Sequence, residues 1–164
     1  MSDLTAVPTE DPGTGEPVRY YIDQSWYDAS GISFRTAAQG RFCPECQKRV
    51  GSVAEESVPV VDQKAGRVIY ETRRVSYGDN PIAVIRAHCS KERNYITPDT
   101  PVIESVFRMF LASGNQPATL EHVRDSLTDW VSYRDRPHGY APEFVKRLLE
   151  ANRRYGIRPF PVGD

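Results

Sequence analysis

The chain has 164 residues, 39% of them hydrophobic, and a formal net charge of −1. That is enough apolar material for one full core or two small ones, and no apolar run approaches the roughly 18 residues that a membrane span requires. Three cysteines cannot all pair with one another, and no basic stretch followed by an apolar one opens the chain, so the expectation is a reduced, cytoplasmic protein without a disulfide framework.

The near-zero net charge hides an alternation along the chain. Residues 1–40 carry two basic and six acidic side chains, residues 41–97 ten and seven, residues 98–130 two and five, and residues 131–164 seven and four. The two positive stretches are mild, and a dense basic stripe of the kind that announces a strong nucleic-acid binder is not visible at this level.

Residues 1–17 are acidic and rich in Pro, Gly and Thr. They offer too few apolar groups to offset the entropy of ordering, which predicts a disordered tail. Arg19-Tyr-Tyr-Ile22 then reads as a short strand. Asp23 is a fair N-cap for a helical segment holding Trp26 and Tyr27, which Ser30-Gly31 interrupts. Phe34, Ala37 and Ala38 resume helical spacing and lead to Gly40. The cluster of Tyr20, Tyr21, Trp26, Tyr27 and Phe34 is read as the core of a small domain; the competing reading is a stacking platform for bases.

The sharpest local signal is Cys43-Pro-Glu-Cys46 within Arg41–Gly51. Two thiols separated by two residues wrap one metal ion in a tight turn, and zinc takes four N or S ligands in a tetrahedron. The third thiol, Cys89, follows His88 directly. Cys43, Cys46, His88 and Cys89 therefore form a candidate Cys3His zinc site, closed and structural rather than catalytic. Neighbouring side chains such as His88 and Cys89 diverge by about 100° on a helix, so His122, His138 or a carboxylate are alternative fourth ligands. The long gap between Cys46 and Cys89 is tolerable because closure entropy grows only logarithmically with loop length. Lys48 and Arg49, just past the second thiol, either favour the thiolate or are ordinary solvated surface.

Between these ligands, Val58–Val61 and Arg67–Tyr70 are β-branched and predict two short strands around a Lys64-Ala-Gly66 turn; Glu71–Arg74 is then either their exposed end or the start of a helix. Asn80-Pro81 has the cap-then-proline signature of a helix start, leading into Ile82, Val84 and Ile85. Asn94–Pro101, with two prolines, reads as a linker. The expected domains are a zinc-binding unit over residues 18–97 and a helical unit over residues 98–164.

In the second unit, Thr100 and Pro101 open a helix whose apolar stripe is Ile103, Val106, Phe107, Phe110 and Leu111, stopped at Ser113-Gly-Asn115. Thr119 caps a second helix with Leu120, Val123, Leu127 and Trp130 on its inner face. A polar loop covers Ser132–Tyr140. Pro142 opens a third helix that buries Val145, Leu148, Leu149 and Asn152 or Ala151, and Ile157–Phe160 reads as a terminal strand. The phrase Ala112-Ser-Gly-Asn-Gln-Pro-Ala-Thr-Leu-Glu-His-Val123 resembles the turn between the first two helices of the winged-helix superfamily, and the resemblance covers residues 100–162. It implies that the third helix meets DNA, with Lys146, Arg147, Arg153 and Arg154 at phosphates, or that the module docks another protein instead. The chain departs from the family's pattern at the wing, since only one strand remains after the third helix.

The fold class expected is thus α+β and mostly helical. Cys-x-x-Cys is also the spacing of a thiol-disulfide oxidoreductase, which needs the first thiol at a helix start inside a βαβ unit. No βαβ pattern surrounds it here. No Gly-x-Ser-x-Gly, phosphate-cradling loop or His-Glu-x-x-His is present either. The expected function is non-enzymatic binding of nucleic acid or of a protein partner, with no membrane association and no small-molecule substrate.

Overall fold

The computed structural model describes residues 17–76, 78–132, 134–136 and 140–161. The tail expected over residues 1–17 lies, apart from Pro17, outside the described residues, as does His138. The described chain is α+β. It runs β1 (Arg19–Ile22), α1 (Gln24–Ser30), α2 (Phe34–Gln39), α3 (Pro44–Arg49), β2 (Val53–Asp62), β3 (Arg67–Ser76), α4 (Pro81–Ala87), a 3-10 turn (Cys89–Lys91), α5 (Val102–Ala112), β4 (Ala118–Thr119), α6 (Leu120–Trp130), α7 (Pro142–Ala151) and β5 (Ile157–Pro159).

The local punctuation acts where the residue chemistry places it. Asp23 accepts from the Ser25 N–H at the start of α1. Asn80 accepts from the Ala83 N–H, with Pro81 at the first position of α4. Thr119 accepts from the His122 N–H on α6. Each contact satisfies a backbone donor that the first helical turn leaves without an intrahelical partner. Thr100 differs from expectation. Helix α5 begins at Val102, and the Thr100 hydroxyl instead accepts from the Thr97 N–H at 3.1 Å, closing the turn before the helix.

Helix α5 is the centre of the molecule. Its predicted stripe is wider than one face: Val106, Phe107, Phe110 and Leu111 are buried, and so are Val102, Ser105 and Met109. Full burial of each large apolar side chain stabilises by roughly 1.5–3 kcal/mol relative to leaving it in water. Around α5 one contiguous core takes in Tyr20, Ile22, Tyr27, Phe42, Cys46, Ile85 and Cys89 from before residue 98, and Val123, Leu127, Val145, Leu149 and Ile157 from after it.

One sheet has the order β4-β1-β5 and is antiparallel throughout, with Tyr20 opposite Ala118 and Tyr21 opposite Arg158. Residues 19–22 thus form the central strand, between β4 and β5. Asn115 locks this arrangement. It adopts a left-handed backbone, φ 57°, just past α5, where short polar side chains are tolerated. Its carboxamide accepts from the Ile22 N–H at 2.8 Å and donates to the Ile22 carbonyl at 2.9 Å. A glycine is required at Gly156 (φ 66°), because a Cβ there would lie 2.6 Å from the Tyr27 ring.

Strands β2 and β3 form a separate antiparallel hairpin with ten residues in each strand, from Val53 opposite Ser76 to Asp62 opposite Arg67. It is longer than the two short strands expected. Glu71–Arg74 continues the strand because it has a full set of backbone partners across the ladder, with Glu55 opposite Arg74.

Candidate metal centre

Three elements bring the cysteines together. Cys43 is the N-cap of α3, with Pro44 at the first helical position, and Cys46 is the buried residue of that helix. Cys89 opens the 3-10 turn that follows α4 and is itself buried. Their Sγ atoms all lie within 4.8 Å of one another, and all three thiols are reduced. The Cys43 N–H donates to the Cys89 Sγ at 3.2 Å, so backbone as well as side chain points at the cluster.

The fit to a metal can be judged from the donors. Thiolates 2.3 Å from a tetrahedral zinc stand about 3.8 Å apart, a spacing the 4.8 Å span accommodates. A soft, all-sulfur set selects zinc or a comparable thiophilic ion over calcium or magnesium. Burial acts to raise the Cys43 thiol. Hydrogen bonds from the Cys46 backbone and side chain, the Cys89 side chain and the Glu45 backbone outweigh it and hold that thiol below its ordinary range. Lys48 and Arg49 lie exposed in the last turn of α3; the stabilisation of Cys43 comes from the start of the helix. Burial pushes Cys89 up to about 12, so in the metal-free protein that thiol keeps its proton, and a metal must displace it on binding.

The cluster contains thiols alone among the described residues. His88 is exposed at the C-cap of α4, immediately before Cys89. His122 is exposed in the first turn of α6.

A clamp next to the cluster fixes its position. Arg41, two residues before Cys43, meets Glu104 of α5 through two parallel bonds of 2.9 and 2.7 Å. Arg108 and the Tyr155 hydroxyl reach the same carboxylate at 2.8 and 3.0 Å. Arg41 also caps the Ala37 carbonyl at 2.8 Å and lies over the Phe107 ring. Burial alone would raise the Glu104 carboxyl, but the two guanidiniums and Tyr155 bring it down to about 2.

The predicted cationic residues separate into two kinds. Lys146 is tied to Glu150 at 3.1 Å along α7, and the exposed positions of that helix include Glu143, Phe144, Arg147 and Glu150. Helix α7 is therefore not itself a basic face. Arg153 and Arg154 lie exposed beyond its end, and Arg153 lines a hollow of about 320 Å³ together with Trp26 and Arg158. Arg158 was not singled out in the sequence. Nor was the grouping of Tyr21, opposite it across the sheet, with Phe160, whose ring meets Tyr21 edge-on at 5.0 Å. The signal available was the strand alternation of residues 157–160, which puts Ile157 inside and Arg158 outside. Of the aromatic cluster read as core, Tyr20 and Tyr27 are buried, while Tyr21, Trp26 and Phe34 are half-buried.

Comparison with protein-family models, with curated proteins and with solved structures gave no match to this chain. No helix of the described residues is long and apolar enough to cross a membrane.

Proposed function

We propose that the protein is a non-enzymatic nucleic-acid-binding protein held together by a structural zinc ion. The metal reading rests on the three converging thiols. Zinc binds Cys43, Cys46 and Cys89, and His88, beside Cys89 but outside the thiol cluster, would turn towards the metal as the fourth ligand. Bound there, the metal ties α3 to the turn after α4 across the 42 residues between Cys46 and Cys89, and constrains the unfolded chain as a cross-link does.

The nucleic-acid reading is carried by one observation: Arg153 and Arg158 share a hollow with Trp26, and the carboxylate that also lines it, Glu150, is paired with Lys146 at 3.1 Å. Two guanidiniums suit phosphodiester oxygens in a fork geometry that lysine cannot reproduce, and a half-buried indole offers a stacking face for a base. Exposed Arg147 and Arg154 extend the positive surface on the same stretch of chain. In this reading the helical unit with β1 in its sheet is a winged-helix arrangement. The contacts centre on the turn between α7 and β5, where the cations gather, with Arg147 alone contributing from the helix.

Fluorescence anisotropy with single- and double-stranded oligonucleotides across a salt series tests this. The expected result is measurable binding near 50 mM salt whose logarithm falls linearly with the logarithm of salt, by about 0.7–0.9 per phosphate contacted. Arg158→Ala and Arg153→Ala should each reduce that slope by about 1. A flat salt response, or no binding at low salt, removes the nucleic-acid reading and leaves the protein-docking alternative. Rapid alkylation of Cys43 in the metal-loaded native protein favours the oxidoreductase alternative instead.

A further inference from the structure

The β2–β3 hairpin is the part of the molecule that the preceding readings leave unexplained. Neither strand packs substantially against any other element among the described residues. Its base is pinned, since the Gln39 side chain donates to the Gly78 carbonyl at 3.0 Å; beyond that point it projects. An isolated two-stranded hairpin is marginal in water and ordinarily needs a covered face.

The register identifies which face. Residues directly opposite in the ladder share a side, so Val53, Glu55, Pro59 and Val61 of β2 lie on the same face as Arg74, Tyr70 and Val68 of β3. Among the described side chains of the hairpin, four large apolar ones stand exposed: Tyr70 at 72%, Val61 at 64%, Val53 at 56% and Val68 at 55%. All four belong to this one face. Its outer half, from the Pro59–Tyr70 pair to the Val61–Val68 pair, carries no charge, and its single charged pair is Glu55 opposite Arg74 nearer the base.

We propose that this face is the dimer interface of the protein and that its occupant is the same face of a second copy. The charge pattern argues for a second copy. A two-fold axis along the length of the hairpin lays β2 of one chain over β3 of the other. Glu55 then faces the partner's Arg74, and Arg74 faces the partner's Glu55. Pro59 faces the partner's Tyr70, and Val61 faces the partner's Val68. One operation therefore matches acid with base at the Glu55–Arg74 position and apolar with apolar over the outer half of the face, which is the self-complementarity an isologous interface requires. The hairpin over residues 53–76 carries four acidic and four basic side chains, so it has no net charge with which to select an acidic or a basic partner. It is for the same reason a poor arm for a phosphate backbone. Two sheets stacked in this way pack about 10 Å apart with their side chains interdigitated.

The area sets the strength. The exposed parts of Tyr70 and the three valines amount to roughly 400 Å² per chain, or roughly 800 Å² in the pair, below the roughly 1,200 Å² of a stable specific interface and within the range of weak, transient ones. The dimer is accordingly weak and transient, and it forms at the upper end of the concentration range.

Sedimentation velocity of the full chain, loaded with zinc and free of nucleic acid, tests the inference over a range of about 1 to 300 µM. The expected result is a mass rising from the 18.5 kDa monomer towards twice that value. Tyr70→Asp and Val68→Asp should each weaken association at least about tenfold. Glu55→Arg and Arg74→Glu should each also weaken it, and mixing these two single variants should restore association as a heterodimer, an outcome that the Glu55–Arg74 pair within one hairpin cannot supply because it stays like-charged in both chains. These positions are exposed, so melting temperatures close to wild type accompany all four variants. A chain that stays monomeric at the top concentration overturns the proposal, as does association unchanged by both Asp substitutions or a mixture of the two charge variants that fails to rescue. Association that appears only when nucleic acid or another protein is added overturns it as well.

Discussion

Replacing Glu104 by glutamine probes the clamp that holds the thiol cluster against the central helix. The substitution keeps the shape and removes the charge, leaving Arg41 and Arg108, with side chains only 22% and 26% exposed, without their counter-ion. The carboxyl stands at about 2 in the folded protein against an ordinary 4.5. Each unit of difference corresponds to 1.36 kcal/mol between protonation states, so the charged carboxylate contributes roughly 3 kcal/mol at neutral pH. That matches the cost of breaking one partner out of a buried pair. For a chain of this size it lowers the melting temperature by roughly 6–12 °C. Because the folded carboxyl is depressed, the unfolded chain binds its proton first as pH falls. The contribution is complete above about pH 4.5 and is lost on descending towards pH 2. Urea titrations followed by tyrosine and tryptophan fluorescence, for wild type and Glu104→Gln in parallel from pH 7 to pH 2, read this directly. The gap between the two proteins should be widest at neutral pH and close by about pH 2, and acid loss of metal, common to both, cancels in the difference. A gap below about 0.5 kcal/mol at pH 7, or one of constant width across the series, would refute the reasoning.

The thiol cluster should copurify with one zinc per chain by elemental analysis. Cys43→Ser, Cys46→Ser and Cys89→Ser should each abolish stoichiometric retention, while His88→Ala should retain metal with affinity lowered by at least about tenfold if the imidazole is the fourth ligand; metal-free wild-type protein would undo the assignment. Asn115→Ala should destabilise by roughly 2–3 kcal/mol in chemical denaturation, since it strands both backbone groups of Ile22 and places a Cβ-bearing residue without a compensating polar side chain in the left-handed region. Asn115→Gly, which relieves the backbone but not the lost hydrogen bonds, should recover only part of that loss.

What the sequence determined by itself is local. The caps at Asp23, Asn80 and Thr119, the proline starts of α4 and α7, the apolar spacing of α5 and α6 and the paired thiols at 43 and 46 are all written within a few residues of where they act. Their cause is a hydrogen bond two to four residues away or a helical repeat of 3.6. The tertiary structure decided the rest. It chose residues 19–22 as the strand between β4 and β5, brought Cys89 onto the Cys43 turn, placed Arg158 beside Arg153 and Trp26, and ran each hairpin strand to ten residues where four were expected. Closing a long loop costs only slightly more than closing a short one, so the chain pays little for distance and leaves no nearby mark of which remote segments will meet. Their partners are selected by the shape of the core around α5 and by backbone groups such as those of Ile22, which Asn115 satisfies from 93 residues away.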